Sequence, residues 1–272
     1  VYAEQLFGLN FGYPLWNPEP PQSGSEVLIG DVGFVRDGTF FRMFNATKAH
    51  DDPINAEDGV PEDYQPFPFR SKKAHIKKTG AIDQGALCSK TIERLVVDLN
   101  AADHHIGAGL KFQCKAKQGA VLYMKYSADY EGIHGSRRLA KYLYQHWESW
   151  VEFISTGLEI EIPKPPGLMF ISGFHKTADW AVASYVAAGK YASFHLSADV
   201  GVASGEMSLI ASSETDTAPI QNWGPRRSIG SSPTSSATSL PQTPQNDQCV
   251  FINYYRMKRR LKLWPTIIRA AA

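Results

Sequence analysis

The sequence predicts an α+β, β-rich fold: an antiparallel sheet or sandwich with one main amphipathic helix, over residues 136–155, packed on it. Three observations lead there. Strand-like runs follow one another along most of the 272 residues, with turn residues between them. Only one segment repeats its apolar residues at helical spacing. Strands that follow strands, instead of alternating with helices, argue against βαβ units.

The apolar material is sufficient for a core without staples, at 43% hydrophobic and 12% aromatic residues. Lys and Arg number 28 against 27 Asp and Glu, for a formal charge of +1, which excludes a polyanion binder working through one overall field. Local patches must carry any such role. Cys88, Cys114 and Cys249 stand far apart without a CxxC pair, so buried reduced thiols are expected and neither a disulfide frame nor a zinc site. No apolar run approaches the roughly 18 residues that span a bilayer, and a cytoplasmic location, with a nuclear one as alternative, is expected. The chain opens on Val1-Tyr2 without an initiator Met, and a trimmed start is expected.

Residues 1–25 read as an extended arm, because GYPLWNPEPP at 12–21 places four prolines around Tyr13 and Trp16. The remainder, 26–272, reads as a single β-rich domain. Two β-prone runs, 26–36 and 39–45, meet at Asp37-Gly38, a strong hairpin signal. Residues 46–66 are acidic and broken by Pro53, Gly59, Pro61 and Pro66, the composition of a long loop. The run 111–117 alternates polar and apolar residues, and 119–126 follows closely enough to pair with it as a hairpin through 117–119. In the helix, Leu139, Tyr142, Leu143, Trp147, Trp150, Val151 and Ile154 share one face, with Ser136 as N-cap and Gly157 as stop. Strands are expected again at 168–172, 180–186, 191–198 and 207–213. The segment 228–248, crowded with Ser, Thr, Pro and Gln, reads as a disordered insertion. One strand over 249–263 closes the fold.

Sites of chemistry are sparse in this pattern. Gly173-Phe174-His175-Lys176-Thr177 lacks the adjacent Gly-Lys of a phosphate loop and reads as a turn. Gly30-Asp31-Val32-Gly33 reads as a bulge or close backbone approach. Asp103-His104-His105 has no partner motif at metal-ligand spacing, and neither a nucleophile elbow nor an HExxH helix is present. No catalytic residue, cofactor or metal is therefore expected. The Asn45-Ala46-Thr47 sequon reads as a chance triplet.

Two basic segments stand out: Arg70, Lys72, Lys73, Lys77 and Lys78 in one, and Arg256, Lys258, Arg260 and Lys262 in the other. Either a protective edge charge or a contact for anionic lipid, nucleic acid or another protein explains them. Ser228, Ser232 and Thr243 sit in basic- or proline-directed contexts for phosphorylation, which would place negative charge within reach of the second segment.

The blocks GYPLWNPEPP, IGDVGFVRDGTFFRMFNA, PIN, GVPEDY, GAVLYM, FISGFHKTADWAVASY and CVFINYYRMKRR resemble successive blocks of a large, mostly uncharacterised protein family of mushroom-forming fungi, over residues 12–262. The resemblance implies an intracellular fungal protein and supplies no catalytic residue. The family pattern has a small residue or Cys at the position of Phe174, and a basic residue and Gly at those of Asn253 and Tyr254. Three functions are open at this point. The first is a non-enzymatic recognition or effector domain. The second is a membrane-acting, gasdermin-like pore former motivated by the strands at 110–126 and by the basic segments. The third is an enzyme with an unrecognised site.

Overall fold

The computed structural model describes residues 1–21, 26–69, 71–95, 110–114, 116–164, 167–186, 192–200, 207–213, 219–226, 245–260 and 263–270. In chain order these hold α1 (Tyr2–Phe7), β1 (Tyr13–Pro14), β2 (Asp31–Arg36), β3 (Thr39–Asn45), α2 (Pro53–Ala56), β4 (His75–Ile82), β5 (Gly85–Cys88) and β6 (Ile92–Leu95). After these come β7 (Leu110–Cys114), β8 (Gln118–Met124), β9 (Ala128–Ile133), α3 (Arg137–Glu152), β10 (Met169–Thr177), β11 (Trp180–Val186) and β12 (Ala192–Val200). The last elements are β13 (Met207–Ser213), β14 (Ile220–Gly224), β15 (Gln248–Arg260) and β16 (Leu263–Ala270). They divide between two compact units, and the segment 26–272 contributes to both. One unit comprises Val1–Leu9, Ile82–Ala128 and Thr177–Gln248, the other Asn10–Ala81, Asp129–Lys176 and Cys249–Ala272.

The first unit is a sandwich of two four-stranded sheets, ordered β14-β11-β8-β5 and β13-β12-β7-β6. Ile92, Phe112 and Cys114 of one sheet pack against Val121, Ala181, Ala183 and Tyr185 of the other. The hairpin expected between the runs at 111–117 and 119–126 is therefore not formed. Strand β8 is buried on both faces and has both edges taken, by β5 and β11, so β7 joins the opposite sheet instead. The opening residues, expected as part of an extended arm, form α1, whose Tyr2 and Leu6 are buried. Two apolar positions one turn apart are too brief a pattern to announce a helix.

The second unit is built on one sheet, ordered β1-β15-β10-β2-β3, with β16 added to β15, β9 to β10 and β4 to β9. Asp37 and Gly38 both take left-handed φ, 51° and 80°, which is what the two-residue turn of the β2–β3 hairpin requires. A bulge falls between Val32 and Gly33, as the glycine spacing predicts. The arm at 12–21 is extended and anchored: β1 pairs with β15, Leu15 N donates to Val250 O, and Cys249 N donates to Pro18 O.

Two further expectations are corrected in this unit. Residues 173–177 form no turn but the second half of β10, where Gly173↔Gly132 and His175↔Tyr130 pair with β9. A Cβ on Gly173 would lie 2.8 Å from Glu131 O, so the glycine serves close strand approach. The closing strand is a hairpin, since the chain returns as β16 with Met257↔Ile267 in register. Trp264 and Pro265 fall within the register shift between Lys258 and Arg260, a position that tolerates proline in a sheet. Of the segment 228–248, expected as a disordered insertion, residues 228–244 lie outside the described residues; Gln248, in the first unit, opens β15, is buried, and accepts from Trp180 Nε1 at 3.0 Å.

Helix α3 starts where Ser136 Oγ accepts from Leu139 N at 3.1 Å and runs into a π-helical turn at Phe153–Gly157. Its face of Leu139, Leu143, Trp147, Trp150 and Ile154 covers Val32, Phe34, Phe44 and Phe170 of the sheet. Phe44 meets Trp150 edge-on at 5.6 Å, and Phe170 stacks under it at 6.4 Å. Leu15, Val35, Phe40, Met169, Ile171 and Ile252 form a second core in the same unit.

A buried polar network ties the hairpin to the loop that follows it. Asp31, fully buried, accepts from Arg42 Nε at 2.6 Å, Arg42 Nη2 at 2.9 Å, Leu28 N at 2.7 Å and Asn45 Nδ2 at 2.8 Å. Burial pushes the Asp31 carboxyl up, and the Arg42 guanidinium with the Leu28 and Asn45 amides pulls it back. With a donor at every approach, a proton on either oxygen would face another proton, so the pair is carboxylate and guanidinium. Asn45 N donates to Asn55 Oδ1 at 2.7 Å, and Asn55 Nδ2 and Tyr64 Oη both donate to Asn45 O. The sequon asparagine is thus a buried structural residue.

Trp150→Ala is expected to cost about 3–5 kcal/mol in urea unfolding, as a fully buried aromatic whose site cannot collapse. Asp31→Ala is expected to cost a similar amount, about 3–5 kcal/mol, because Arg42 is left without its carboxylate. Asp31→Ala with Arg42→Met should recover part of that loss in the same measurement; no recovery would exclude the stranded charge as the cause.

Candidate anion-binding face

The first basic segment lies at the edge of the second unit's sheet. Strand β4 pairs with β9, and among the described residues no strand pairs with its other side. A 3₁₀ turn at Lys72–Ala74 precedes it, capped by Ser71 Oγ accepting from Lys73 N at 3.1 Å. Lys72, Lys73, His75, Lys77, Lys78 and Thr79 are all exposed. Adjacent residues of a strand point to opposite faces, and the surroundings of Lys77 and Lys78 agree. Lys77 Nζ lies 2.6 Å from Glu131 Oε1, whose residue is in register with Phe174. The charge of Lys78 reaches His175, which pairs with Tyr130.

Long-range contacts enlarge this edge into a face. His134 N donates to Ala74 O at 2.9 Å, which sets the Lys72–His75 stretch beside the start of α3. There Arg137 and Arg138 are exposed, and the Arg138 guanidinium lies 5.3 Å from the Phe67 ring centre. Phe67 meets Phe69 at 5.3 Å, and Phe69 meets His75 at 4.7 Å, so an aromatic chain links the two basic stretches. Among the described residues Lys72, Lys73, Lys78, Arg137 and Arg138 form no ion pair. Cations gathered from two stretches without an ion pair give a local positive field that the net charge of +1 conceals.

The remaining expected site residues do not join this face. Strand β15, which carries Arg256, Lys258 and Arg260, is separated from β4 by β10 and β9. Arg256 is half-buried. Arg70, Lys262, Ser228, Ser232, Thr243 and Asp103-His104-His105 lie outside the described residues. Arg137 and Arg138 escaped the sequence reading because a pair of arginines is unremarkable in a helix, and the bond that unites them with residues 72–75 spans some sixty positions.

Several other polar groups among the described residues are buried. His175 is 6% exposed, walled by Phe11, Tyr130 and Phe251 at ring distances of 5.7, 4.8 and 6.0 Å. Burial pushes it down to about 4, helped by the charge of Lys78 and opposed by a hydrogen bond to the Phe11 backbone. Beside it, buried Lys176 pairs with Glu26 at 2.7 Å and lies 4.0 Å from the Phe174 ring centre. A cleft of about 140 Å³ is lined by the saturated Asp31 and Arg42 pair together with Phe40, Ile54, Glu57 and Asp58. That volume is below the range of drug-sized ligand pockets. Burial pushes the Cys249 thiol up to about 12 and raises Cys114 as well, so both are protonated at neutral pH, while Cys88 is only half-buried. Among the described residues no three His, Cys, Asp or Glu side chains are placed to share a metal ion. Nor is any described helix long and apolar enough to cross a membrane.

No family model, curated protein or solved structure matches the chain.

His175 fixes a sign for acid behaviour. It is neutral in the fold at pH values where the unfolded chain protonates it, so stability present above pH 6.5 is lost as pH falls toward about 4. The loss is expected to reach roughly 2–3 kcal/mol. Chemical denaturation of the parent and His175→Phe across that window checks it: the variant should show the shallower dependence, and parallel curves would remove His175 as the cause.

Proposed function

We propose that this protein is a non-enzymatic recognition module that engages an anionic partner through the face formed by Lys72, Lys73, Lys78, Arg137 and Arg138. The single observation that carries the reading is that exposed cations from two distant stretches, Lys72 and Lys73 in one and Arg137 and Arg138 in the other, are brought together by the His134–Ala74 bond and form no ion pair among the described residues, with Lys78 further along the same strand. In a chain of nearly balanced charge, such an accumulation costs mutual repulsion and gives steering and selectivity in return. Arg138 is held by Phe67, and the 72–75 stretch by Ser71 and His134, so part of the face is preorganised.

The resemblance to the fungal family fits this reading. Asp31 and Asn45, Asn55 and Tyr64 lie in three separate blocks of it and bind one another, which supports a shared scaffold more than a shared catalytic centre. The membrane-acting alternative drew on the strands at 110–126 and on the basic segments; those strands stand in different sheets and form no hairpin with one another, while the basic segments remain. An anionic vesicle is nonetheless one arm of the test.

Polyglutamate, single-stranded RNA and phosphatidylserine vesicles are the probes. At least one is expected to bind with an affinity that falls steeply as salt rises. Reversing Lys72, Lys73, Arg137 and Arg138 together to Glu should weaken that binding by at least about a hundredfold without shifting the melting temperature. Salt-insensitive binding, or a variant that binds as the parent does, would dismiss the face as a site.

A further inference from the structure

We infer that the partner is an extended acidic segment of another protein, which adds as a new strand to the free edge of β4. The inference rests on the reading of the basic face above and assigns its occupant. Three observations select a polypeptide over a lipid surface or a nucleic acid.

The first is the backbone. Strand β4 is hydrogen-bonded to β9 on one side only among the described residues. An edge strand presents a row of amide and carbonyl groups at the spacing of another strand, and only a polypeptide backbone matches that row. Lys77, Lys78 and Thr79 are all exposed, so neither face of the sheet is covered beside this edge, where a strand covered on one face would alternate.

The second is the placement of charge on both faces. Lys77 and Lys78 project to opposite faces of the sheet, Lys77 beside Glu131 and Lys78 on the side of Tyr130 and His175. A flat membrane reaches one face of an edge at a time. An added strand projects its own side chains alternately to both, so acidic residues at neighbouring positions would meet both lysines at once.

The third is selectivity. Lysines on an edge deter pairing with a second copy of the same strand, because like charges would stand opposite one another. The same lysines favour a strand carrying Glu or Asp. The turn at 72–74 extends the basic track past the end of β4, with Arg137 and Arg138 beyond it, so the acidic segment outlasts the paired residues at that end.

The experiment uses the full chain and a capped, fluorescein-labelled peptide of about ten residues alternating Glu with Val and Thr, long enough to span a typical strand. Two further peptides carry N-methyl groups on alternate residues, one set per edge, which removes backbone donors and keeps charge. A fourth interrupts the same number of Glu residues with Gly and Pro. RNA and phosphatidylserine vesicles are run beside them.

The parent peptide is expected to bind and to slow hydrogen exchange at 75–81. One N-methyl set and the Gly/Pro peptide should each bind at least about tenfold more weakly, while the other set binds as the parent does. Lys77→Glu with Lys78→Glu should abolish peptide binding. If both N-methyl sets and the Gly/Pro peptide bind like the parent, strand addition is wrong while the basic face stands. If RNA or vesicles bind and the peptide does not, the assignment of a polypeptide is wrong. Absence of salt-sensitive binding by every probe ends both readings together.

Discussion

The second unit depends on one carboxylate taken out of water. Burying Asp31 costs several kcal/mol, and only the convergence of Arg42, Leu28 N and Asn45 offsets that cost. Those donors come from the loop before β2 and from the middle and the end of β3, so they can meet only when the hairpin is in its proper register. The same register turns Phe44 toward Trp150. A slip by one residue would separate the ion pair and turn the aromatic floor of α3 to the other face of the sheet. Electrostatics and packing thus specify the same alignment, and Asn45 passes it on to Asn55 and Tyr64 in the loop beyond.

The basic face stands on that arrangement. Helix α3 is seated by its tryptophans on the hairpin, and its first turn is thereby brought to the end of β9, where His134 bonds Ala74. A surface site can therefore be rigid although its side chains are long and solvated. The helix fixes the arginines, the sheet edge fixes the lysines, and a few backbone and aromatic contacts fix their spacing.

What the sequence disclosed divides by range of interaction. The Asp37-Gly38 turn, the cap at Ser136 and the buried stripe of α3 are decided within a few residues and were legible. The partnership of β7 and β8 was not. Proximity in sequence favours a hairpin, but which edges of β8 are taken is settled by β5 and β11, far along the chain. Gly173 misled for a related reason: a glycine freed for a turn and one cleared for a neighbouring strand read alike. The candidate face was half legible, since Lys72, Lys73, Lys77 and Lys78 cluster in one window, whereas Arg137 and Arg138 join them through a tertiary contact alone.

The chain leaves and re-enters each unit repeatedly, so that each is assembled from three separated stretches. No single cut yields a fragment holding all of one unit and none of the other. Truncation from either end removes strands or helices from a unit whose remaining segments lie elsewhere in the sequence. Expression of a minimal binding fragment is thereby closed off as a strategy, while a nick in a connecting loop leaves two pieces that each carry parts of both halves and hold one another through the sheets. That is the architecture wanted for a split reporter, in which reconstitution of the two pieces is the signal.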